Sequence, residues 1–410
     1  MNYNLLEEKW IPILWKEGKT GRVGVITALE QASEIRCITL ASPLDLFAMH
    51  RFVLTLLYWK ASLAKGVEHV RDTLLESRKI PCKVLNGIKK EGYCFDLFNN
   101  NAPFLQDPSI RNINITEKDK KSAGSFFAEC ATGTNIAHFH HGDDDNMRLC
   151  LPCAALGMLR VVPWSQAGGA GLTPSVHNAP PIMAIAIGDN LAKTLGLNLV
   201  PLDVQAGKAT WSGQFKPTNS IAPIPYLEAL TWNPRRILLP SPQKGTCWYC
   251  GQADVPTVGK IVYMKNKNTK KQSKVKLFEW QDPAAFYVED FKTIKSTKEK
   301  HAEEGRDLLL VKNDSIRKST VILKNADHNR WLLVVPCTNP ANNKTFDHRQ
   351  LELKDFSSKT IQSILPSVQP PSQGLDGWKQ PKQSYPSGNK QFVLLAARLL
   401  TNADWGTLSN

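Results

Sequence analysis

Two Cys-x-x-Cys pairs constrain the fold of this chain more than any other feature of its sequence. The first pair is Cys150 and Cys153, and the second, almost a hundred residues later, is Cys247 and Cys250. Each pair can supply two thiolates, and four thiolates form a closed tetrahedral zinc site with no open position for catalysis. The sequence therefore predicts a structural Zn²⁺ that joins distant parts of the chain and fixes the loops beside it.

An alternative is that the pairs are unrelated and that one of them is a redox Cys-x-x-Cys. A thioredoxin-like pair opens a helix directly after a strand, and we expect neither pair to do so. The other five cysteines are scattered singly along the chain: Cys37, Cys82, Cys94, Cys130 and Cys337. Such a pattern in a long chain is typical of a reduced cytosolic protein and not of a secreted disulfide framework.

The N-terminal residues have charges at Glu7, Glu8 and Lys9, where a signal peptide would have its apolar stretch. The longest apolar segment, 44–63, contains Asp45 and other charged residues, which favours a buried helix over a membrane span. We therefore expect a cytoplasmic protein.

The chain has an excess of positive charge, with 51 Lys and Arg against 37 Asp and Glu and a net charge of +14. An excess of this size favours a polyanionic partner, and nucleic acid is the commonest one. The segment 260–276 contains seven lysines and no acidic residue. It could form a hairpin arm that follows phosphates, although a solvated, flexible hairpin is the alternative.

A segment rich in histidine and aspartate precedes the first cysteine pair. Its functional candidates are His138, Phe139, His140, His141 and Asp143–Asp145. The histidines and aspartates could form the metal site of a nuclease, but we find no ββα unit with the additional Asn and His that such a site needs. We favour an exposed recognition loop with Phe139 at its tip, and a plain solvated loop is the third possibility. Because no other catalytic motif is found either, we expect a binding protein and not an enzyme.

A glycine-rich segment follows the first cysteine pair and contains Gly168, Gly169 and Gly171. Glycines allow a backbone to approach another polymer closely and to present its N–H groups. The segment matches neither a dinucleotide-binding fingerprint nor a P-loop. A tight packing turn is the alternative interpretation.

Helix and strand signals occur in irregular order, which predicts an α+β fold: an irregular mixed α/β globular domain. We expect a helix that starts at Ser42-Pro43, because Ser is a preferred N-cap and Pro fits the first turn. A second, short helix is expected at 153–159. The strand candidates are 10–15, 23–26, 180–188, 260–264, 286–288, 320–323 and 331–335.

We expect three regions along the chain. Residues 1–365 form the main domain, stapled by zinc through 150–153 and 247–250. A stretch rich in Pro, Gly, Ser and Gln makes 366–389 a linker or loop. Residues 390–410 contain an apolar C-terminal helix.

Several segments resemble the large subunit, of CasA type, of the type I-E CRISPR Cascade complex. The resemblance rests on segments 4–13, 102–106, 133–141, 149–156 and 247–252, in the order and at the spacing of that family. It is good over residues 1–260 and thin beyond them. It implies a subunit that recognises the protospacer-adjacent motif on double-stranded DNA, mainly from the minor groove, and helps to open the duplex for the crRNA.

The resemblance also implies roles for individual residues. Phe139, His140 and His141 match a loop that contacts the crRNA-bearing end of the complex and the DNA. Gly168, Gly169 and Gly171 match the glycine loop that approaches the base pairs of the motif. Either Lys265 or Lys267 matches a lysine that enters the minor groove. The implied partners are target DNA, crRNA and other Cascade subunits, of the Cas5 and backbone types.

Two features of the C-terminal region differ from the family pattern. The family has a strand-separating wedge with Asn and Gln at its tip, and the nearest stretch here has Asn402 followed by Ala403. Because the sequence ends at Asn410, we expect no C-terminal four-helix bundle, which in the family helps to recruit the helicase-nuclease. Either another subunit supplies the bundle or this variant cleaves or acts differently, and we favour a variant complex whose nuclease is fused to another subunit.

Overall fold

The computed structural model describes residues 2–127, 147–165, 176–177, 181–213, 222–265, 278–289, 292–293, 296–297, 319–325, 328, 330–338 and 346–355. Among these residues, no helix combines the length and the hydrophobicity that spanning a bilayer requires. The C-terminal linker and helix predicted at 366–389 and 390–410 lie outside the described residues, and so does the C-terminal limit of the main domain.

The described part of the chain contains eight α-helices, which we number in chain order. They are α1 (Val25–Glu30), α2 (Pro43–Lys60), α3 (Val67–Ser77), α4 (Cys82–Lys89), α5 (Leu151–Trp164), α6 (Leu191–Asn198), α7 (Tyr226–Leu230) and α8 (Thr320–Lys324). Short 3₁₀ helices lie at Ala61–Ala64, Gly92–Phe95, Pro108–Asn112, Glu117–Asp119, Ala123–Phe126 and Thr210–Ser212.

Seventeen short strands accompany these helices in the described ranges. They are β1 (Ile11–Trp15), β2 (Thr20–Val23), β3 (Ile35–Ile38), β4 (Lys120–Ser122), β5 (Leu149–Cys150), β6 (Met183–Ala186), β7 (Ala222–Pro223), β8 (Arg235–Leu238), β9 (Gln243–Gly245), β10 (Val255–Val258), β11 (Lys260–Lys265), β12 (Phe278–Glu279), β13 (Tyr287–Glu289), β14 (Lys292–Thr293), β15 (Ser296–Thr297), β16 (Arg330–Thr338) and β17 (Phe346–Asp355).

These strands form several small sheets. Three sheets have three strands each, in the orders β2–β1–β3, β5–β10–β9 and β4–β11–β8. A fourth sheet is built on β16, which pairs with β17 and β6 in antiparallel fashion and with β15 in parallel. Helices and small sheets therefore alternate irregularly, as the sequence predicted.

Helix α2 runs through the core. It begins where the sequence predicted, with Ser42 at the N-cap position, Pro43 in the first turn and Asp45 beside it. Apolar residues lie on all sides of α2, and a helix with this pattern is buried. Its polar residues Asp45, His50, Arg51 and Thr55 are buried with it.

An aromatic cluster packs around Phe52 of α2. The rings of Phe104, Trp211 and Trp10 lie with their centroids 5.5, 5.9 and 6.2 Å from that of Phe52. Phe95 lies 5.5 Å from Phe104 and continues the cluster. These separations are those of favourable tilted and edge-to-face ring pairs. The N-terminal segment is thereby joined to the chain beyond residue 200.

Two strand predictions are wrong. Residues 23–26 were expected to be extended, but α1 begins at Val25, where the Val25 and Ile26 N–H groups donate to the carbonyls of Leu5 and Leu6. Residues 320–323 form α8 because the Ser319 side chain accepts a hydrogen bond from the Ile322 N–H and caps the helix. In both places tertiary or capping contacts outweigh the strand preference of β-branched residues.

Candidate metal centre and its surroundings

The first cysteine pair lies at the junction of a strand and a helix. Cys150 ends β5 and has extended backbone angles at the N-cap of α5, and Cys153 follows in the first helical turn. Pro152 fits this first turn because its missing N–H would have no helical partner. Our expectation that neither pair opens a helix after a strand is therefore wrong for this pair.

The second pair forms a tight knuckle between β9 and β10. The Cys247 N–H donates to the Gln252 carbonyl at 2.8 Å, and the Gly251 N–H donates to the Cys247 carbonyl at 2.9 Å. Gly251 has a φ of +73°, in the left-handed region that favours glycine. This turn brings the two sulfurs to the same side of the knuckle.

Strand pairing brings the two pairs together. β10 pairs with β9 on one side and with β5 on the other, and Thr257 lies opposite Cys150. Arg148 reinforces this sheet, because its Nε donates to Thr257 Oγ1 at 2.8 Å and its carbonyl accepts from the Trp248 N–H at 2.7 Å. The sheet therefore fixes the knuckle directly beside the start of α5.

The four cysteines form one cluster whose sulfur atoms all lie within 4.8 Å of one another. Cys150 Sγ and Cys250 Sγ are 3.6 Å apart. Tetrahedral zinc with Zn–S bonds of about 2.3 Å requires sulfurs about 3.8 Å apart, whereas a disulfide requires about 2.05 Å. The donor set and its spacing thus fit a closed structural zinc site. Cys150, Cys153 and Cys247 are buried and Cys250 is exposed.

The cluster favours thiolates at the knuckle. Hydrogen bonds from Cys150 and Cys153 lower the pKa of Cys247, and a hydrogen bond from Cys153 lowers the pKa of Cys250 to about 6. Hydrogen bonds with Cys150, and then with Cys247 and Cys250, raise the pKa of Cys153. Zinc binds thiolates, so its binding to these four cysteines would release the protons that remain on them.

A buried polar network joins the knuckle to the core. Tyr249 lies between the two knuckle cysteines, and its hydroxyl donates to the Asp45 carboxylate of α2. Arg160 of α5 lies 3.2 Å from the other Asp45 oxygen and is 1% exposed. The Tyr249 ring stacks on Phe127 with centroids 4.2 Å apart, and the Arg160 guanidinium lies over the other ring of this stack, 4.9 Å from the Phe127 centroid.

The knuckle contacts the chain on both sides of residues 128–146. Phe127, immediately before that segment, stacks on Tyr249, and Arg148, just after it, accepts a hydrogen bond from Trp248. The candidate residues Phe139, His140, His141, His138 and Asp143–Asp145 lie outside the described residues. The knuckle therefore contacts both flanks of the segment in which we expect the recognition loop.

A basic sheet continues from the knuckle hairpin. Only Gly259 separates β10 from β11, the central strand of the β4–β11–β8 sheet. Lys121 and Lys260 are exposed on this sheet, and Lys120 is partly exposed. Glu117 lies 2.7 Å from Lys120 Nζ and 3.9 Å from Lys260 Nζ. The hydrogen bond from Lys120, and then its charge, lower the pKa of Glu117.

Of the remaining candidate residues, only the backbone of Lys265 lies within the described part of the chain. Lys265 ends β11, and its backbone pairs with Arg235 of β8. Lys267, Gly168, Gly169, Gly171 and Asn402 lie outside the described residues. Their expected roles in DNA binding stay predictions.

Sequence reasoning missed the polar network behind the cysteines. Asp45 was read as an interruption of an apolar segment and as an acidic residue in a first helical turn, and Tyr249 only as a spacer between two ligands. A charge within a helix that is apolar all round must be buried, and a buried charge needs a partner. That signal could have identified Asp45, although not its partners Arg160 and Tyr249.

Comparisons with known proteins identify a family whose sequences this chain matches and solved structures that share its fold. The family model for CRISPR-associated protein Cse1 matches residues 4–312. The CRISPR-associated protein CasA/Cse1 of Thermus thermophilus is 29% identical over 215 residues, which cover 51% of this chain and 42% of that protein. The matched region is thus less than half the length of this curated relative.

Solved structures share the fold at low sequence identity. Cse1 from Acidimicrobium ferrooxidans has a TM-score of 0.66 at 16% identity, covering 100% of this chain and 86% of that one. A chain of a CRISPR RNA-guided surveillance complex in a pre-nicking state has a TM-score of 0.65 at 14% identity, covering 90% of this chain and 76% of that one. At these identities the likeness establishes the fold alone.

Proposed function

The chain belongs to the family of the CRISPR-associated protein Cse1, and from this premise we propose that it is the large subunit of an RNA-guided Cascade surveillance complex. In this role it recognises the protospacer-adjacent motif on double-stranded DNA and helps to start strand separation for crRNA pairing. The observation that carries the proposal is the match of the family model over residues 4–312 together with the fold of the surveillance-complex chain. The partners are target DNA, crRNA and the other Cascade subunits.

The basic sheet supports a DNA partner. Lys121 of β4 and Lys260 of β11 are exposed on this sheet, and β11 is followed along the chain by the lysine-rich segment 266–276. Lysines supply affinity for phosphates that does not depend on base sequence. The glycine segment and Lys265 or Lys267 would then read the motif in the narrow, strongly negative minor groove. Base pairing by the guide RNA would read the rest of the target.

The metal centre supports the same proposal in a structural role. Cys150, Cys153, Cys247 and Cys250 would hold Zn²⁺, whose four sulfur ligands leave no position for a substrate. The ion would stiffen the knuckle that holds the flanks of residues 128–146. Thiolate ligands need reducing surroundings, which is consistent with a cytoplasmic location.

The experiment that tests the function measures motif selection by the assembled complex. A mobility shift over a library with a randomised motif should select a short sequence, and complex lacking this subunit should select none. In a second arm, bulky residues at Gly169 or Gly171 should reduce discrimination between motifs more than they reduce non-specific binding. Equal selection with and without the subunit would refute the proposal.

A nuclease built on His138, His140, His141 and Asp143–Asp145 is the competing function. Pure protein incubated with plasmid DNA and magnesium, manganese or zinc separates the two functions. The binding protein leaves the plasmid intact, whereas metal-dependent cleavage that is lost in His140→Ala would establish the nuclease.

A further inference from the structure

One face of the β4–β11–β8 sheet carries three cationic side chains. Side chains opposite each other in an antiparallel pair lie on the same face, and those along a strand alternate between faces. Lys120 lies opposite Val262, and Arg236 lies opposite Met264. Along β11, Lys260 and Met264 are each two residues from Val262. Lys120, Lys260 and Arg236 therefore share one face of the sheet, which we call the cationic face.

The cationic face is turned to solvent, whereas the centre of the opposite face is packed on the core. Ile237 and Ile261, on the opposite face, are 0% exposed and belong to the main core cluster. On the cationic face, the side chains of Lys120, Lys260 and Arg236 are 38, 49 and 24% exposed. A polyanion can therefore reach all three charges from one side.

Two carboxylates neutralise part of the cationic face in the free protein. Glu117 belongs to the 3₁₀ helix immediately before β4. One of its carboxylate oxygens lies 2.7 Å from Lys120 Nζ, and the other lies 3.9 Å from Lys260 Nζ. The Asp107 carboxylate accepts a hydrogen bond from Arg236 Nε. Glu117 thus bridges lysines of two neighbouring strands, while Asp107 holds the arginine of the third strand.

The two carboxylates differ in how firmly they are held. The Asp107 side chain is 6% exposed, and it also accepts from the N–H and the hydroxyl of Ser109 at 3.0 and 2.6 Å. The Glu117 side chain is 72% exposed, and exposed ion pairs contribute little net stability. The turn beneath it is fixed, because the Asp119 carboxylate accepts from the N–H and the hydroxyl of Thr116. Glu117 is therefore the carboxylate that another anion can replace.

We propose that Lys120 and Lys260 form a phosphate-binding site, which Glu117 occupies in the free protein as an internal competitor. The inference rests on the proposed function, and the ligand is a backbone phosphate of duplex DNA. Carboxylates and phosphates both accept charge-assisted hydrogen bonds from ammonium groups, so one can take the place of the other. Lysine suits such an exchange, because its ammonium is a point charge on a flexible stem.

An internal competitor has a specific use in a protein that searches DNA. Phosphate contacts supply affinity that does not depend on base sequence, and a genome offers a very large number of competing non-specific sites. By occupying two lysines, Glu117 weakens binding to unmatched DNA. The protein is thereby kept from being retained at sites that lack the motif.

The first arm of the test measures binding of the full chain to a non-specific DNA duplex, by fluorescence anisotropy at several salt concentrations. Glu117→Gln keeps the size of the side chain and releases both lysines. The affinity should rise about fivefold, and the salt dependence should become steeper by about one on logarithmic axes. Glu76→Gln is the matched control, since Glu76 is exposed on α3 and the change adds the same net charge. Equal gains in the two variants would overturn the inference.

The second arm asks whether Glu117 acts through the lysine of the neighbouring strand. Glu117→Gln is compared in the parent chain and in a Lys260→Ala background, which forms a double-mutant cycle. The gain in affinity should largely disappear when Lys260 is absent. A full gain without Lys260 would overturn the bridged site.

The third arm identifies the polymer and separates this site from the proposed function. Repeating the measurement with single-stranded RNA of the same length should give a gain no larger than that for the duplex, and a gain for RNA alone would overturn the assignment to duplex DNA. If the assembled complex selects no motif but Glu117→Gln still tightens duplex binding, the proposed function is wrong and the phosphate site stands. If the complex selects a motif but Glu117→Gln behaves as Glu76→Gln does, the site is wrong and the function stands.

Discussion

Tyr249 joins the knuckle to a buried polar network in the core. Its hydroxyl donates to Asp45, which is also paired with Arg160, and its ring stacks on Phe127. Tyr249→Phe keeps the stack and removes the hydrogen bond to a buried carboxylate. We expect the free energy of unfolding, measured by urea denaturation, to fall by about 1–3 kcal/mol.

Tyr93→Phe is the control for this change. Tyr93 is 54% exposed, so the same substitution there should change the free energy of unfolding by less than about 0.5 kcal/mol. Equal effects at the two positions would mean that the hydroxyl of Tyr249 makes no special contribution.

Metal binding is a second prediction at the residue scale. Cys250→Ser removes one of four thiolate ligands, and we expect zinc in the purified protein, measured by metal analysis, to fall from a full equivalent to almost none. Assembly into the complex should fall together with the zinc content, because the ion no longer links the knuckle to the start of α5. Cys82→Ser is the matched control, since Cys82 is exposed and lies outside the cluster. Equal zinc content in the two variants would contradict a site built from four cysteines.

Single residues were predictable where their chemistry is local. The spacing of the four cysteines was enough to predict that they meet, because thiolate pairs on tight turns have few other uses. The partners of Asp45, Arg51 and Asp282 were not predictable, because they depend on contacts between residues more than a hundred positions apart. Sequence could show only that charges in a buried helix require partners.

At the scale of elements, helix α2 organises its neighbours. It carries Asp45, which accepts from Tyr249 of the knuckle, and Arg51, which donates to the buried Asp282 carboxylate. Its start was predicted correctly because Ser42, Pro43 and Asp45 are strong local signals. The helix at 151–164 was predicted too short, as 153–159, although Pro152 at its start is also a local signal.

Two glycines within helices give contrasting predictions. Replacing glycine by alanine in a helix stabilises it by about 1 kcal/mol where space allows. At Gly87 of α4 a new Cβ would clash with the flexible end of the exposed Leu63 side chain and would otherwise lie in ordinary contact with Lys60, 3.4 Å from its Cδ. At Gly157 of α5 it would lie 2.7 Å from the Cβ of the buried Phe126.

We therefore expect opposite effects on the melting temperature. Gly87→Ala should raise it, because Leu63 can move aside. Gly157→Ala should lower it, because overpacking against Phe126 costs about 1–3 kcal/mol. Scanning calorimetry of the two variants measures both shifts. A rise for Gly157→Ala would show that the packing of α5 on Phe126 is looser than described, and a fall for Gly87→Ala would show that Leu63 does not move aside.

At the scale of the whole molecule, charge predicts the salt dependence of DNA binding. The net charge of +14 and the basic β4–β11–β8 sheet favour contacts with phosphates. We expect the affinity of the complex for non-specific duplex DNA to fall linearly on logarithmic axes as salt rises. Lys121→Ala, at an exposed position of β4, should reduce this slope by about one.

The control for this prediction is Lys83→Ala, an equally exposed lysine on α4. Both variants lose one positive charge, so net charge alone would change their slopes equally. A reduced slope for Lys121→Ala only would locate the phosphate contacts on the basic sheet. Identical slopes would count against that surface.

The overall architecture was predictable only as a class. Irregular order of helix and strand signals predicted an α+β fold, but not which strands pair. The three-stranded sheet β5–β10–β9 joins segments about a hundred residues apart, and no local pattern encodes that register. The resemblance to a known family predicted the family correctly, but it was not used to predict strand pairing.

The pairing of β5 with β10 also has a consequence for synthesis of the protein. A ribosome releases the chain from its N-terminus, so Cys150 and Cys153 emerge long before the knuckle and the strand that holds it. Until Val258 has been translated, the thiols of Cys150 and Cys153 lack the strand β10 that brings Cys247 and Cys250 to them. Correct folding should therefore depend on whether the first two cysteines stay reduced and unmodified during that interval.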